Sequence, residues 1–256
     1  MQQLPPASKI AIVSDLHLGR GDGQTGFYGT PEQACALLRT IAKTADLTII
    51  NGDLYDLDRG SLPTAQKREY EFLRPKWASV EACIEEYGIR LTAGNHDRAL
   101  LGQIVGGARV FENYVVSVGA RIVRIEHGER FDAWIKRNRR FTSFATWWSG
   151  WFSRHQLHGL YRLLRRIEAF STKDQEGGHI RRARRWMSEQ KQCDILVLGH
   201  THARCATACE KGWLLNPGDA MHPVANYLLI DAAQLKVTFF TIDQNLVSTP
   251  VHHLAL

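Results

Sequence analysis

Apolar residues run along this chain in two rhythms. Short runs rich in β-branched side chains recur at Ile10 to Val13, Leu47 to Ile50, Ile89 to Thr92, Ile122 to Ile125 and Ile195 to Leu198. Each is short enough for a buried strand and ends in a polar cluster, which predicts five strands. Between the first two, Pro31 to Ala45 places Ala34, Leu37, Leu38 and Ile41 on one face behind an opening proline, the pattern of an amphipathic helix. Pro75 to Tyr87 predicts a second helix, closed by Gly88. Further strands are predicted at Trp213 to Leu215, Tyr227 to Ile230 and Lys236 to Thr241. Strand and helix alternating in this way predict an α/β fold.

The segment from Trp134 to Trp186 breaks the rhythm. It lacks strand signals and reads as two or three helices, with a break at Gly177-Gly178. Phe144, Trp147, Trp148 and Trp151 fall at i, i+3, i+4 and i+7, so they share one helical face. The reading is one domain over residues 1–256 with a helical insertion, a cap, over 134–186. The insertion holds thirteen Lys and Arg against three acidic residues, a charge of +10, while the rest of the chain carries −4. Such a block faces an anionic partner or a solvated surface. Arg181 and Arg182, with Trp147 and Trp151, are the candidate substrate-binding residues. The bland alternatives are a solvated arginine face and an aromatic stripe packed on the core. The sharper reading is a lipid-facing or acyl-facing surface with peripheral membrane contact.

Composition narrows the class. With 44% hydrophobic and 23% charged residues, the chain has an ordinary soluble balance. No uncharged apolar run reaches the roughly 18 residues of a membrane span. Met1 to Ser8 is polar, unlike a secretory signal. Five cysteines without a C-x-x-C pair read as reduced thiols, which predicts a cytoplasmic protein, or one peripheral at the inner face of the membrane. The basic residues are confined to one insertion and no nucleic-acid motif is present, which argues against a nucleic-acid partner.

The chemistry sits where the strands end. Asp15 and His17 follow the first strand, Asp53 the second, Asn95, His96 and Asp97 the third, His127 the fourth, and His200 and His202 the fifth. Ligands of α/β sheets bind outside the carboxyl ends of strands. In an extended strand end, residues i and i+2 point the same way, so Asp15 with His17, and His200 with His202, can each aim two donors at one place. Gly52, Gly94, Gly128 and Gly199 let the backbone turn beside them. Carboxylate, imidazole and amide donors suit Mn²⁺, Fe or Zn²⁺ more than Ca²⁺. The alternative for each is a polar residue capping a turn. Asp56, Asp58, His155, His158 and His179 read as surface residues.

In order, these blocks are Asp-Leu-His, Gly-Asp, Gly-Asn-His-Asp, a lone His, and Gly-His-Thr-His. The set resembles the calcineurin-like metallophosphoesterase family. The resemblance implies a four-layer αββα sandwich and two divalent metal ions, Mn foremost, with Fe or Zn as alternatives. Asp15, His17 and His202 would hold the first metal, and Asn95, His127 and His200 the second. Asp53 would bridge them with its two oxygens, and a bridging hydroxide would attack phosphorus. His96 would act on the transferred phosphoryl or leaving oxygen, oriented by Asp97.

Within the family, the Asp-Leu-His-Leu start, Gly-Asp-Leu-Tyr-Asp, His-Gly-Glu-Arg-Phe-Asp, the basic insertion and Asn216-Pro217-Gly218-Asp219 look most like the UDP-2,3-diacylglucosamine hydrolases. That group implies cleavage of a lipid-linked pyrophosphate to UMP and lipid X. Its commonest form has arginine where this chain has His96, and His96 is the residue of the general phosphoesterase pattern. The rival substrates are soluble nucleotides and other small phosphoesters.

Overall fold

The computed structural model describes residues 2–21, 27, 29–57, 63–132, 178–190, 192–221 and 223–255. Phe144, Trp147, Trp148, Trp151, His155, His158 and Asp58, and most of the 134–186 insertion, lie outside these residues.

Along the chain come β1 (Gln2–Gln3), β2 (Lys9–Val13), α1 (Pro31–Ala42), β3 (Leu47–Asn51), α2 (Pro63–Leu73), α3 (Ala78–Glu86), β4 (Arg90–Thr92), β5 (Ile104–Val105) and β6 (Ala108–Phe111). Then follow β7 (Asn113–Val118), β8 (Arg121–Glu126), a helix α4 over 178–190, β9 (Ile195–Val197), β10 (Cys205–Cys209), β11 (Gly212–Asn216), β12 (Ala225–Asp231), β13 (Lys236–Ile242) and β14 (Ser248–Ala255). The strands form two mixed sheets. One has the order β14-β13-β12-β2-β3-β4-β6-β5, the other β1-β7-β8-β9-β11-β10.

The apolar runs explain the layering. Strands buried on both faces are apolar at every position, and successive side chains feed opposite cores. In β2, Ile10 and Ile12 enter a cluster between the sheets with Ile49, Val116, Val123, Ile125 and Phe239. Ala11 and Val13 enter a second cluster, under α1 and α3, with Leu38, Ile41, Trp77 and Ile84. In β9, Ile195 and Val197 join the inter-sheet cluster, while Leu196 packs with Ala183 and Met187 of α4 in a third. Helices, sheet, sheet and helix make the expected four layers. Among the described residues, no helix is long and apolar enough to cross a membrane.

The helices show where patterning succeeds and fails. α1 starts at Pro31 as predicted, because Thr30 and Gln33 form a reciprocal cap: Gln33 N–H donates to Thr30 Oγ1 and Thr30 N–H donates to Gln33 Oε1. It stops at Ala42, short of Ala45. The second predicted helix begins at Ala78, not Pro75. Ahead of it lies α2, which was not predicted. Two of its buried residues, Gln66 and Glu69, are polar, so no apolar stripe marks it. Gln66 accepts from Ala99 N–H, and Glu69 holds Arg20 through two bonds of 2.6 and 2.7 Å.

Candidate metal centre

β2, β3 and β4 of one sheet and β8 and β9 of the other end on the same side, and the sequence-predicted residues meet there. Each follows its strand by one to five residues. Asp15, His17, Asp53 and His127 are buried.

Local backbone geometry departs from the extended ends expected. Asp15, His17, Asp53, His200 and His202 all have φ between 50° and 67°, the left-handed region. Among the described residues only two other non-glycine residues do so, Leu235 and Leu246, both in turns between sheet strands. A left-handed non-glycine residue costs roughly 1–2 kcal/mol and persists where the surroundings over-determine it. At these five positions the donors are aimed by a left-handed kink and not by the alternation of an extended strand. His200 and His202 face different groups, while Asp15 and His17, equally left-handed, share one. His200 Nδ1 lies 2.9 Å from Asn95 Oδ1, whereas His202 Nε2 lies 3.1 Å from His17 Nε2 and 3.4 Å from Asp15 Oδ1.

Two groups of donor atoms result. One contains Asp15, His17 and His202. The other surrounds Asn95 Oδ1, with His200 Nδ1 and, at 3.2 Å, His127 Nε2. Asp53 stands between them. Its Oδ2 is 3.9 Å from His17 Nε2 and 3.2 Å from His127 Nε2. Its Oδ1 accepts from His96 N–H at 2.9 Å, so a single oxygen of Asp53 faces both groups. Gly94 makes room: a Cβ there would sit 2.7 Å from Asp53 N and Cγ.

The residues present fit a pair of cations. His127 Nδ1 is 3.0 Å from the Asn51 carbonyl, which fixes a proton there and turns Nε2 towards the Asn95 and Asp53 oxygens. His200 Nε2 is 3.3 Å from Asp132 Oδ2, which turns its Nδ1 lone pair on Asn95 Oδ1. His202 Nε2 points towards His17 and Asp15, with Nδ1 on the side of Asp219 Oδ2, 3.7 Å away and beyond hydrogen-bond reach. Imidazole nitrogens thus face carboxylate or amide oxygens in both groups. Asp15 Oδ1 is buried with no hydrogen-bond partner among the described residues. Ligand bonds of about 2.0–2.2 Å put neighbouring ligand atoms about 3 Å apart, the spacing seen here.

Electrostatics agree. Burial, then His96, brings the His17 pKa down to about 4, so its ring is neutral and able to ligate. Burial opposes charge on His127, yet Asp53 and Asp15 outweigh it and raise its pKa well above the ordinary imidazole value, so without a cation Nε2 carries a proton towards Asp53, which a bound cation would displace. Burial pushes Asp53 up, but His127, His96 and His17 together hold it well below the usual carboxylate range. The site is a sink for positive charge.

At the mouth, His96 has its side chain 27% exposed and stands edge-on to His17, with ring centroids 4.7 Å apart. Its Nδ1 lies 3.1 Å from Asp56 Oδ1. Asp56, read from sequence as a surface residue, is buried, and it takes the place expected of Asp97. Asp97 does something else. Its carboxylate accepts from Gly94, Leu54 and Tyr55 N–H, tying the Gly-Asn-His-Asp loop to the Gly-Asp-Leu loop. Burial and then Asp53 push its pKa up to about 7. His179 is also corrected: it is 2% exposed, with Nε2 at 2.9 Å from the Gly128 carbonyl. Arg182 anchors α4 by donating from Nε to the Phe131 carbonyl, and Arg181 is exposed. Asp56, Asp132 and Asp219 were all missed as partners. Each closes a motif quoted above, Gly-Asp-Leu-Tyr-Asp, His-Gly-Glu-Arg-Phe-Asp and Asn-Pro-Gly-Asp, and that was the available signal.

A model of the calcineurin-like phosphoesterase family matches residues 8–204. A comparison with curated proteins finds no match. Among solved structures, the chain is similar to a conserved uncharacterized protein, a predicted phosphoesterase, from Streptococcus pneumoniae TIGR4. They share 18% identity over 97% of this chain and 96% of that one, with a TM-score of 0.48. Vacuolar Protein Sorting 29 from Cryptosporidium parvum shares 16% identity over 98% and 99%, with a TM-score of 0.49. A novel archaeal phosphodiesterase shares 13% over 95% and 98%, with a TM-score of 0.37. The family match covers every strand end that carries a donor, through His202, and the donors behind those ends converge as a cation site requires. The chain therefore belongs to the calcineurin-like phosphoesterase family and is a metal-dependent hydrolase of that class.

Proposed function

We propose that this chain hydrolyses small, water-soluble phosphoesters, diesters or monoesters of the nucleotide kind, with two divalent cations. The observation that carries the reading is the meeting of two groups of ligand-type side chains at Asp53 Oδ2. Asp15, His17 and His202 would hold one ion, Asn95, His127 and His200 the other, and Asp53 both. Manganese suits this mixed donor set, as do iron and zinc. When bound, two such ions polarise phosphoryl oxygens and lower the pKa of water, to about 7 in the best-studied cases.

The rest is done by side chains. Asp56 holds His96 through Nδ1, and we assign Nε2 to donate to a phosphoryl oxygen or to protonate the leaving oxygen. Asp97 sets the spacing of the two loops that carry Asp53 and His96. His96 in place of the arginine of the lipid A-precursor hydrolases, and Arg182 turned inward on Phe131, favour a soluble ester.

A second substrate, UDP-2,3-diacylglucosamine cleaved to UMP and lipid X, is favoured by the basic surplus of residues 134–186. That insertion would then meet the inner face of the membrane of a cytoplasmic enzyme. The deciding assay offers Mn²⁺-loaded protein bis-p-nitrophenyl phosphate, and UDP-2,3-diacylglucosamine in micelles. Chelator-sensitive diester cleavage without UMP release supports the first reading. UMP release without diester cleavage replaces it with the second, and failure on both substrates sinks both.

A further inference from the structure

We propose that Asp132 is a positioning residue for the metal centre: it sets the tautomer and orientation of His200, and through His200 the affinity of the cation group around Asn95. The inference rests on the two-cation reading above.

Asp132 is 5% exposed, and its Oδ2 lies 3.3 Å from His200 Nε2. A carboxylate on that nitrogen holds the proton there and leaves Nδ1 as the ligating atom, 2.9 Å from Asn95 Oδ1. Partners on the far nitrogen of a ligating imidazole fix ring orientation and raise its basicity.

The placement is built into the fold. Asp132 ends a turn that starts beside His127, and three bonds pin that turn. Phe131 N–H donates to the Gly128 carbonyl at 2.9 Å and Asp132 N–H to the Glu129 carbonyl at 3.0 Å. His179 of α4 reaches the same Gly128 carbonyl at 2.9 Å. From α4, Arg182 also holds the Phe131 carbonyl, and Phe131 packs edge-on against His179 and Trp186. One short turn therefore leads from one ligand of the group, His127, to the partner of another, His200.

The test is calorimetric titration of Mn²⁺ into metal-free wild type, Asp132→Ala and Asp132→Asn, with the melting temperature of each metal-free protein as the folding check. Wild type should bind two equivalents. Asp132→Ala should weaken one of them by about 10–100-fold and leave the other within twofold. Asp132→Asn keeps an oxygen able to accept from Nε2–H and should recover most of the loss. Should Asp132→Ala fail to fold, Asp132→Glu, which displaces the carboxylate by a methylene, takes its place with the same expected loss. Unchanged affinities, equal weakening of both equivalents, or no recovery in Asp132→Asn would overturn the assignment. Wild type binding no Mn²⁺ would instead sink the two-cation reading itself.

Discussion

Gly52 offers a way to displace one ligand without touching its chemistry. Its φ is +79°, and a Cβ there would fall 2.5 Å from His127 Cγ and 2.7 Å from His127 Cβ. Neither neighbour is the free end of a flexible chain, because the His127 ring is buried and held by the Asn51 carbonyl. Gly52→Ala therefore carries two penalties. A left-handed alanine costs about 1–2 kcal/mol, less about 0.4–1 kcal/mol for the stiffer unfolded chain. Forcing a side chain out of a packed site adds about 1–3 kcal/mol. Gly102 separates them: its φ is +80°, and its Cβ would meet nothing within 4 Å. Gly102→Ala should lose about 1 kcal/mol or less. Gly52→Ala should lose about 2–4 kcal/mol, a gap in melting temperature on the order of 5 °C between the two variants. Differential scanning calorimetry reads the gap, and Mn²⁺ titration should show Gly52→Ala losing the equivalent that His127 would hold. If the two variants melt together and bind alike, His127 is not fixed where the structure puts it.

Other perturbations address separate parts of the molecule. His96→Ala and Asp56→Asn should each lower turnover of a small diester by about 10²-fold or more while Mn²⁺ content stays near wild type; lost metal would make His96 a ligand instead. Tyr55→Phe removes a 2.9 Å bond to buried Glu81 and should cost about 1.5–3 kcal/mol in urea unfolding with kcat unchanged; a neutral effect would mean that Tyr70 and Arg74 satisfy Glu81 alone. Burial brings the His179 pKa down from 6.5 to about 4, so the unfolded chain binds a proton in that window and the folded one does not. Stability should fall as pH drops from 6.5 towards 4, by an upper limit of about 3 kcal/mol from this group, and His179→Gln should flatten that slope in pH-dependent unfolding.

Strands were legible in the sequence because both faces of β2, β3 and β9 are buried, which makes their apolar runs continuous. β14 was not, because it lies at a sheet edge with most of its side chains exposed, and no apolar pattern marks it. α2 escaped for a related reason: some of its inward contacts are polar, through Gln66 and Glu69. The metal-ligand types were legible as strand-end Asp, His and Asn. What could not be read was how they face one another. Asp56 and Asp132 look like ordinary acidic residues until the fold brings His96 and His200 onto them. The extended strand ends expected at Asp15, His17, His200 and His202 are left-handed instead, which no residue type there signals. The roles given to Trp147 and Trp151 fall outside the described residues.

The left-handed ligands also bear on the order of assembly. Asp15, His17, Asp53, His200 and His202 occupy backbone conformations that their own residue types disfavour, so a free peptide spanning any one motif would not hold its donors in place. Small zinc domains work the other way, with metal binding driving the chain to fold. Disfavoured backbone at five ligands leads us to expect the two sheets to close before metal binds. The metal-free chain should therefore refold unaided, and metal should arrive as the last component.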